Sequence, residues 1–281
     1  MQTLAEIRAL LDEWGLRPKK SLGQNFLIDH NLLGRLVDEA GVAEGDRVLE
    51  VGPGTGTLTE TLLDRGCRVV AVELDDQLAS MLTDRLGDRD GFTLVHGDCL
   101  ASKRAVNRDA MDALGDGPFR LVANLPYHAA TPLMLTLMGS HPECVGMAVT
   151  IQREVADRMT AGPGSKTFGT LGVVARAFGE ARKVAVLGPG CFWPPPGVDS
   201  AMAVWERGEP MVGDGGQFAD FVSRVFEGRR KQLGAHLKRL GMLPGSWPDG
   251  VEPTDRAEAL EVERFAALYG AVDRSMEGPR A

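Results

Sequence analysis

The chain is poor in the residues that staple, anchor or ligate. Its 281 residues include 4 cysteines, at positions 67, 99, 144 and 191. No pair of them has metal-ligand spacing, which argues against structural zinc. Scattered thiols suit a reducing cytoplasm, where they fill small apolar gaps. A chain of this length buries enough apolar surface to fold without disulfides or metals. No stretch reaches the ~18 uninterrupted apolar residues that would indicate a membrane span. Met1–Leu16 lacks the basic start and apolar run of a secretion signal. It reads instead as an amphipathic helix carrying Glu6, Asp12 and Glu13. Repeats and low-complexity tracts are absent. Basic residues are in the minority, 31 against 39 acidic ones, for a formal net charge of −8. Taken whole, that balance argues against a nucleic-acid partner, although a sum over the chain says little about one face. The expectation is a cytoplasmic globular protein with no membrane contact.

Short Val-rich runs alternate with helical patterns. Strands are expected at 47–52, 68–74, 92–98, 120–125 and 146–152, and helices at 57–65, 75–86 and 131–138. Runs that are apolar on both faces suit central parallel strands, and their alternation with helices predicts an α/β, doubly wound sheet. Two further strands, 183–187 and 201–206, would form an antiparallel hairpin at one edge. Residues 207–216 read as a linker. Phe218, Phe221, Val222 and Val225 have helical spacing, so a helix is expected from about Gln217, weakened but not ended by Gly228. A last helix is expected over 255–269, capped by Thr254 or Asp255 and followed by Gly270. These features divide the chain into a sheet domain with an N-terminal helical arm, 1–209, and a small helical domain, 210–281.

Glu50-Val51-Gly52-Pro53-Gly54-Thr55-Gly56 follows the first strand and opens a helix. Glycines there permit a tight turn and let a ligand approach the backbone. The dinucleotide fingerprint spaces its third glycine one residue later, and Pro53 removes an N–H that a pyrophosphate would use. The pattern E-x-G-x-G-x-G is similar to the first motif of AdoMet-dependent methyltransferases. Glu73, ending the second strand, can accept both hydroxyls of a ribose, a role that fits NAD and AdoMet alike. Asp98, ending the third, can accept from an adenine amine.

The fourth strand ends in Asn124-Leu125-Pro126-Tyr127. An exocyclic amine of a nucleobase is conjugated to its ring and is a poor nucleophile. An Asn side-chain carbonyl and a backbone carbonyl, both accepting from that amine, favour a pyramidal nitrogen with an available lone pair. Pro126 holds the preceding backbone extended, and Tyr127 offers a face on which an extruded base can stack. The methylated nitrogen is cationic and sheds its proton readily, so the chemistry requires no general base. His128 adjoins the segment as a pocket-lining residue, and the other four histidines have no sequence company that suggests a ligand or base. The Asn-Leu-Pro-Tyr segment resembles the fourth motif of enzymes that methylate adenine or cytosine amines.

Further segments, in order, resemble the KsgA family of small-subunit ribosomal RNA adenine N6,N6-dimethyltransferases. They are Lys19–Leu27 (KKSLGQNFL), Gln152–Arg158 (QREVADR), Phe192–Ser200 (FWPPPGVDS) and Phe226–Leu233 (FEGRRKQL). The resemblance implies a class I AdoMet-dependent methyltransferase with a Rossmann-like sheet and a small C-terminal helical domain. It implies AdoMet as methyl donor, with no metal, and an AdoMet pocket built from Asn25, Leu27, Gly52, Gly54, Glu73, Asp98 and Asn124. The catalytic group would be Asn124, Leu125, Pro126, Tyr127 and Phe192, with Tyr127 and Phe192 sandwiching the adenine. Cys191 and Trp193 flank Phe192 with groups bulkier than the family pattern leads one to expect.

The resemblance also addresses the charge balance. Residues 224–239 hold six Arg and Lys against one acid, Glu227, and Arg17, Lys19 and Lys20 cluster near the start. Clustered rather than net charge binds phosphates, so Lys19, Lys20, Arg229, Arg230 and Lys231 are expected to contact RNA. The implied partner is small-subunit rRNA in a preassembled ribosomal particle, and the implied protein a monomer that dimethylates two adjacent adenosines near the rRNA 3′ end. The alternatives are an Erm-type large-subunit rRNA methyltransferase, a ribosome-assembly factor with secondary methylation and, more distantly, a NAD-dependent oxidoreductase. Leu125, Gly23 before Gln24, and Pro53 lean toward the small-subunit family.

Overall fold

A computed structural model describes residues 1–102 and 104–272; the end of the expected helical domain, 273–281, lies outside them. The Val-rich runs form one seven-stranded sheet: β1 (Arg47–Val51), β2 (Arg68–Glu73), β3 (Phe92–His96), β4 (Phe119–Asn124), β5 (Cys144–Gln152), β6 (Gly179–Leu187) and β7 (Ser200–Arg207). Their spatial order is β3-β2-β1-β4-β5-β7-β6. β7 runs antiparallel to both of its neighbours, and the pairs from β3 to β5 are parallel. The expected hairpin is present, with β7 inserted beside β5 and β6 left at the edge. Burial follows position: β1 and β2 are buried on both faces, whereas the two edge strands are partly exposed.

The helices are α1 (Leu4–Glu13), α2 (His30–Glu39), α3 (Thr57–Asp64), α4 (Asp76–Leu86), α5 (Arg108–Leu114), α6 (Tyr127–Ser140), α7 (Arg153–Met159), α8 (Thr170–Phe178), α9 (Gly215–Phe226), α10 (Leu233–Leu240) and α11 (Val262–Ala271). α2 and α3 cover one face of the sheet, against Val48, Val69, Val122 and Met202. The other face, with Leu49, Val70, Leu121, Val149 and Trp205, is covered by helices from α5 onward. α1 and α4 share a third apolar cluster with Phe26. Polar caps begin several helices: Thr3 and Glu6 form a capping box on α1, and Asp29, Asp75 and Asp214 cap α2, α4 and α9.

Three expected helices have different bounds. α6 starts at Tyr127, immediately after Pro126, and carries Pro132 within it. α9 ends at Phe226 rather than running through the basic segment. A Cβ at Gly228 would lie 2.4 Å from the His236 ring, so the chain turns where the glycine admits that ring. α11 begins at Val262, not 255. Asp255 instead closes a turn, its side chain accepting from Glu252 N at 2.9 Å and its carbonyl from Leu233 N at 2.8 Å. The helices past residue 210 share one apolar cluster with the sheet, in which Phe218, Val222 and Phe265 join Leu121 and Leu133.

Candidate active site

The carboxyl ends of β1, β2 and β4 open onto one cleft enclosing about 1080 Å³, part of it open to solvent. The loop after β1 forms one wall. Gly52, Gly54 and Gly56 all have positive φ (70°, 61° and 86°), a region that disfavours residues with a Cβ. Space is also closed to side chains: a Cβ at Gly54 would meet the Phe26 ring at 2.8 Å, and one at Gly52 would meet Pro126 at 3.0 Å. The glycine loop is therefore clasped between the N-terminal segment and the Asn-Leu-Pro-Tyr turn.

Two buried carboxylates stand behind the loop. Glu73 accepts from Asp75 N at 2.9 Å and Gly54 N at 3.4 Å; burial raises its pKa, against these hydrogen bonds. Glu50 is 1% exposed and accepts from Thr59 Oγ1 at 2.7 Å. Burial, with the nearby charge of Glu73 adding to it, pushes its carboxyl up to about 8. Asp98 lies on the exposed rim and accepts from Leu100 N at 2.9 Å.

On the opposite side, Asn124 ends β4. Its Nδ2 donates to the Asn25 carbonyl at 2.8 Å, while its Oδ1 takes no partner among the described residues. Neither does the carbonyl of Leu125, whose N–H is held by Thr150 O at 3.0 Å. Two acceptors are thus left open at the head of β4. Tyr127 lines the cleft, and its hydroxyl lies 2.8 Å from Ser200 Oγ, where β7 begins. Burial raises the Tyr127 pKa, so the hydroxyl is neutral. Asn25, Leu27, Gly52, Gly54, Glu73, Asp98, Asn124, Leu125, Pro126 and Tyr127 all line this one cleft, as does His128.

Phe192 does not join them. It is 3% exposed and packs with Leu27, Leu33, Leu36 and Met202. Phe192 pairs with Leu27, and Trp193 with Phe26, in a two-residue antiparallel ribbon, so Phe192 stands one layer behind the cleft wall. No ring contact joins Phe192 to Tyr127 among the described residues.

The expected RNA contacts also divide. Lys19 Nζ pairs with buried Asp75 at 2.8 Å, joined by Gln24 Nε2 at 2.9 Å, and so braces the N-terminal segment against the start of α4. At Asp75, burial alone would raise the pKa, but these donors and the α4 N-terminus bring it below the usual range. Arg229 donates to Glu258 at 2.9 Å, Lys166 O at 2.7 Å and Ser165 O at 2.9 Å. Its guanidinium is a clamp between chain segments. Lys20, Arg230 and Lys231 are exposed, without ion pairs among the described residues. Phe26 and Asp75, which brace the glycine loop and the start of α4, were not marked out in the sequence; a possible signal for Asp75 is an acid at the residue before a helix.

The donors and acceptors around the cleft fit a nucleoside: buried carboxylate where a ribose would lie, a rim acid for an amino-purine, and open glycine backbone. No group of His, Cys, Asp and Glu that could hold a metal ion occurs among the described residues. No helix there is long and apolar enough to cross a membrane.

A sheet of this order, with its glycine loop and acid-tipped second strand facing one cleft, defines a class I AdoMet-dependent methyltransferase. Similarity to known proteins narrows the class. The chain belongs to the ribosomal RNA adenine dimethylase family, whose model matches residues 15–273. It is 40% identical to the ribosomal RNA small subunit methyltransferase A of Streptomyces griseus, over 94% of this chain and 92% of that one. It is 38% identical to the protein of that name from Bifidobacterium adolescentis, over 96% and 93%. Among solved structures, a dimethyladenosine transferase from Plasmodium falciparum shares the fold, with TM-score 0.68 at 22% identity over 86% of this chain and 95% of that one. The 23S rRNA methyltransferase ErmE has TM-score 0.64 at 25% identity, over 89% and 100%.

Proposed function

We infer that the chain transfers methyl groups from AdoMet to N6 of adenosines in small-subunit ribosomal RNA, giving N6,N6-dimethyladenosine. The observation that carries the chemistry is the fixed amide of Asn124, whose oxygen and the neighbouring Leu125 carbonyl stand open at the cleft. Family membership supports adenine dimethylation, and the small subunit comes from the names of relatives matched over nearly their whole length.

When bound, AdoMet supplies a methyl group activated on a sulfonium. Glu73 would accept from the ribose hydroxyls, Asp98 would accept from the cofactor's adenine amine, and Gly52, Gly54, Asn25 and Leu27 would shape the remaining walls. The target adenosine enters unstacked, with its ring on Tyr127. Asn124 Oδ1 and Leu125 O accept its two N6 hydrogens and bring the lone pair out of conjugation. After the first transfer one N–H remains, enough for one of the two acceptors, so the same site can perform the second transfer. Each product nitrogen loses its proton to water. Phe192 reaches the base only if the 192–193 ribbon moves; its role as the second stacking face is part of this proposal.

Lys20, Arg230 and Lys231 supply the RNA-facing charge, and the segment from residue 210 onward, a small domain packed on the sheet domain 1–209, contributes to RNA binding. The substrate is rRNA within a preassembled small subunit, two adjacent adenosines near its 3′ end are the target, and the enzyme works as a cytoplasmic monomer. With labelled AdoMet and either undermethylated small subunits or protein-free large-subunit rRNA, label is expected in the small subunit. Label confined to large-subunit rRNA would overturn the reading.

A further inference from the structure

The functional reading leaves α1 without a part in RNA binding, yet α1 carries an uncommitted cation against the residue next to Phe192. Arg8 is exposed, and its guanidinium carbon lies 5.1 Å from the centre of the Trp193 ring. Asp12, one helical turn on, is the natural i,i+4 partner of Arg8, but it is paired with Arg17. Arg8 has no hydrogen bond or ion pair among the described residues. Its contact is the indole face, a cation–π arrangement that leaves the N–H edge of the guanidinium free to donate.

The indole is itself held in place. Trp193 stacks on Phe26, with ring centroids 6.3 Å apart and planes 27° apart, and Phe26 rests against Gly54 of the glycine loop. Phe26 and Trp193 are also direct partners in the two-residue ribbon. Asn25, one residue before Phe26, provides the carbonyl that fixes Asn124. One cross-strand pair and one residue therefore separate the Arg8–Trp193 pair from the side chain that faces the target amine.

We propose that Arg8 and Trp193 form a nucleotide-docking platform, with Arg8 donating to a phosphate of the RNA strand next to the target adenosine and Trp193 holding the guanidinium in place. A planar guanidinium backed by an aromatic face is a recurrent element of single-strand RNA recognition. The inference rests on the RNA substrate proposed above. It adds a contact on the opposite side of the ribbon from Phe192, so that RNA binding itself would bear on the segment carrying Phe192.

The test is the salt dependence of binding to small ribosomal subunits that lack the modification, for wild type, Arg8→Gln, Arg8→Lys and Trp193→Phe. Arg8→Gln should weaken binding about fivefold and reduce the slope of log K against log[salt] by about 0.7–0.9, the release expected from one lost phosphate contact. Arg8→Lys should keep the slope, and Trp193→Phe, which keeps an aromatic face, should lie between wild type and Arg8→Gln. Titration with S-adenosylhomocysteine should be unchanged in Arg8→Gln, since Arg8 does not line the cleft. A wild type that binds and methylates small subunits while Arg8→Gln keeps the same slope would overturn this inference alone. A wild type that neither binds nor methylates them would overturn the functional reading, and this inference with it.

Discussion

The side-chain amide of Asn124 donates through Nδ2 to the backbone carbonyl of Asn25 at 2.8 Å. In the proposed reaction, this one bond decides which end of the amide meets the substrate. Because the nitrogen is committed to a residue of the N-terminal segment, the oxygen is presented to the cleft, and an acceptor is what an aromatic amine needs. Removing it should cost rate rather than binding. Asn124→Ala is expected to lower methyl transfer at least about 100-fold, in the range found when one stabilising group at a reacting centre is deleted. Binding to small subunits should stay within a few-fold of wild type. Single-turnover transfer and filter binding measure the two separately, and an equal loss of both would make Asn124 a structural residue.

The glycine loop gives a second prediction. Gly54→Ala places a Cβ 2.8 Å from the Phe26 ring at a φ of 61°, so the substitution meets both backbone strain and overlap. It should destabilise the protein by about 1–3 kcal/mol and weaken S-adenosylhomocysteine binding at least tenfold, as read by thermal melting and calorimetry. Unchanged affinity would mean that the loop does not touch the cofactor.

Glu50 sets a pH dependence whose sign follows from its burial. Burial pushes its carboxyl up to about 8 in the folded chain, well above the ordinary carboxylate value near 4.5. Between those values the folded state holds a proton that the unfolded state has released, so rising pH favours unfolding. The ligand-free protein should therefore lose thermal stability as pH rises from about 5 to about 8. Glu50→Gln, which stays neutral, should flatten that slope and melt higher than wild type near pH 8. A wild-type melting temperature that rises across this window while Glu50→Gln follows it would contradict the account.

Arg229 and its neighbours should separate by function. Arg229→Ala breaks three hydrogen bonds to Glu258, Lys166 and Ser165 and is expected to cost about 2–3 kcal/mol of stability, with little change in the salt slope of RNA binding. Arg230→Ala with Lys231→Ala should do the reverse, leaving melting nearly unchanged and reducing the slope by roughly 1.5. The same slope change in both variants would place Arg229 on the RNA.

That division shows where the sequence stops being informative. The central strands were legible because parallel strands buried on both faces must be continuous apolar runs, the glycine loop, Glu73 and Asn124 because each comes at the end of such a strand, and Asp98 because it follows the Val-containing edge strand. Arg229 and Lys19 read as surface charge because their partners, Glu258 and Asp75, are 29 and 56 residues away. The end of α9 was hidden for the same reason, since the His236 ring that meets Gly228 belongs to the next helix. α8, whose run TLGVVARAF is nearly all apolar, reads as a buried segment that could be strand or helix. Phe192 is a stacking face only through the family resemblance, and which way its side chain points depends on the register of a ribbon only two residues long.

Phe192 yields a further expectation. As a buried side chain, Phe192→Ala should cost about 3–5 kcal/mol, which would obscure any effect on the base. Phe192→Leu retains most of the packing. If the ring stacks on the target adenine after the ribbon moves, Phe192→Leu should melt close to wild type yet lose transfer about tenfold or more. Transfer equal to wild type would confine Phe192 to the core.

The most direct test of the central claim is the identity of the modified nucleoside. Small-subunit rRNA from particles lacking the modification is incubated with AdoMet and the protein, digested to nucleosides and read by mass spectrometry, with Asn124→Ala in parallel. The account predicts N6,N6-dimethyladenosine with wild type and almost none with the variant. Methylation at a ring nitrogen or a ribose, or equal N6 methylation by Asn124→Ala, would contradict it.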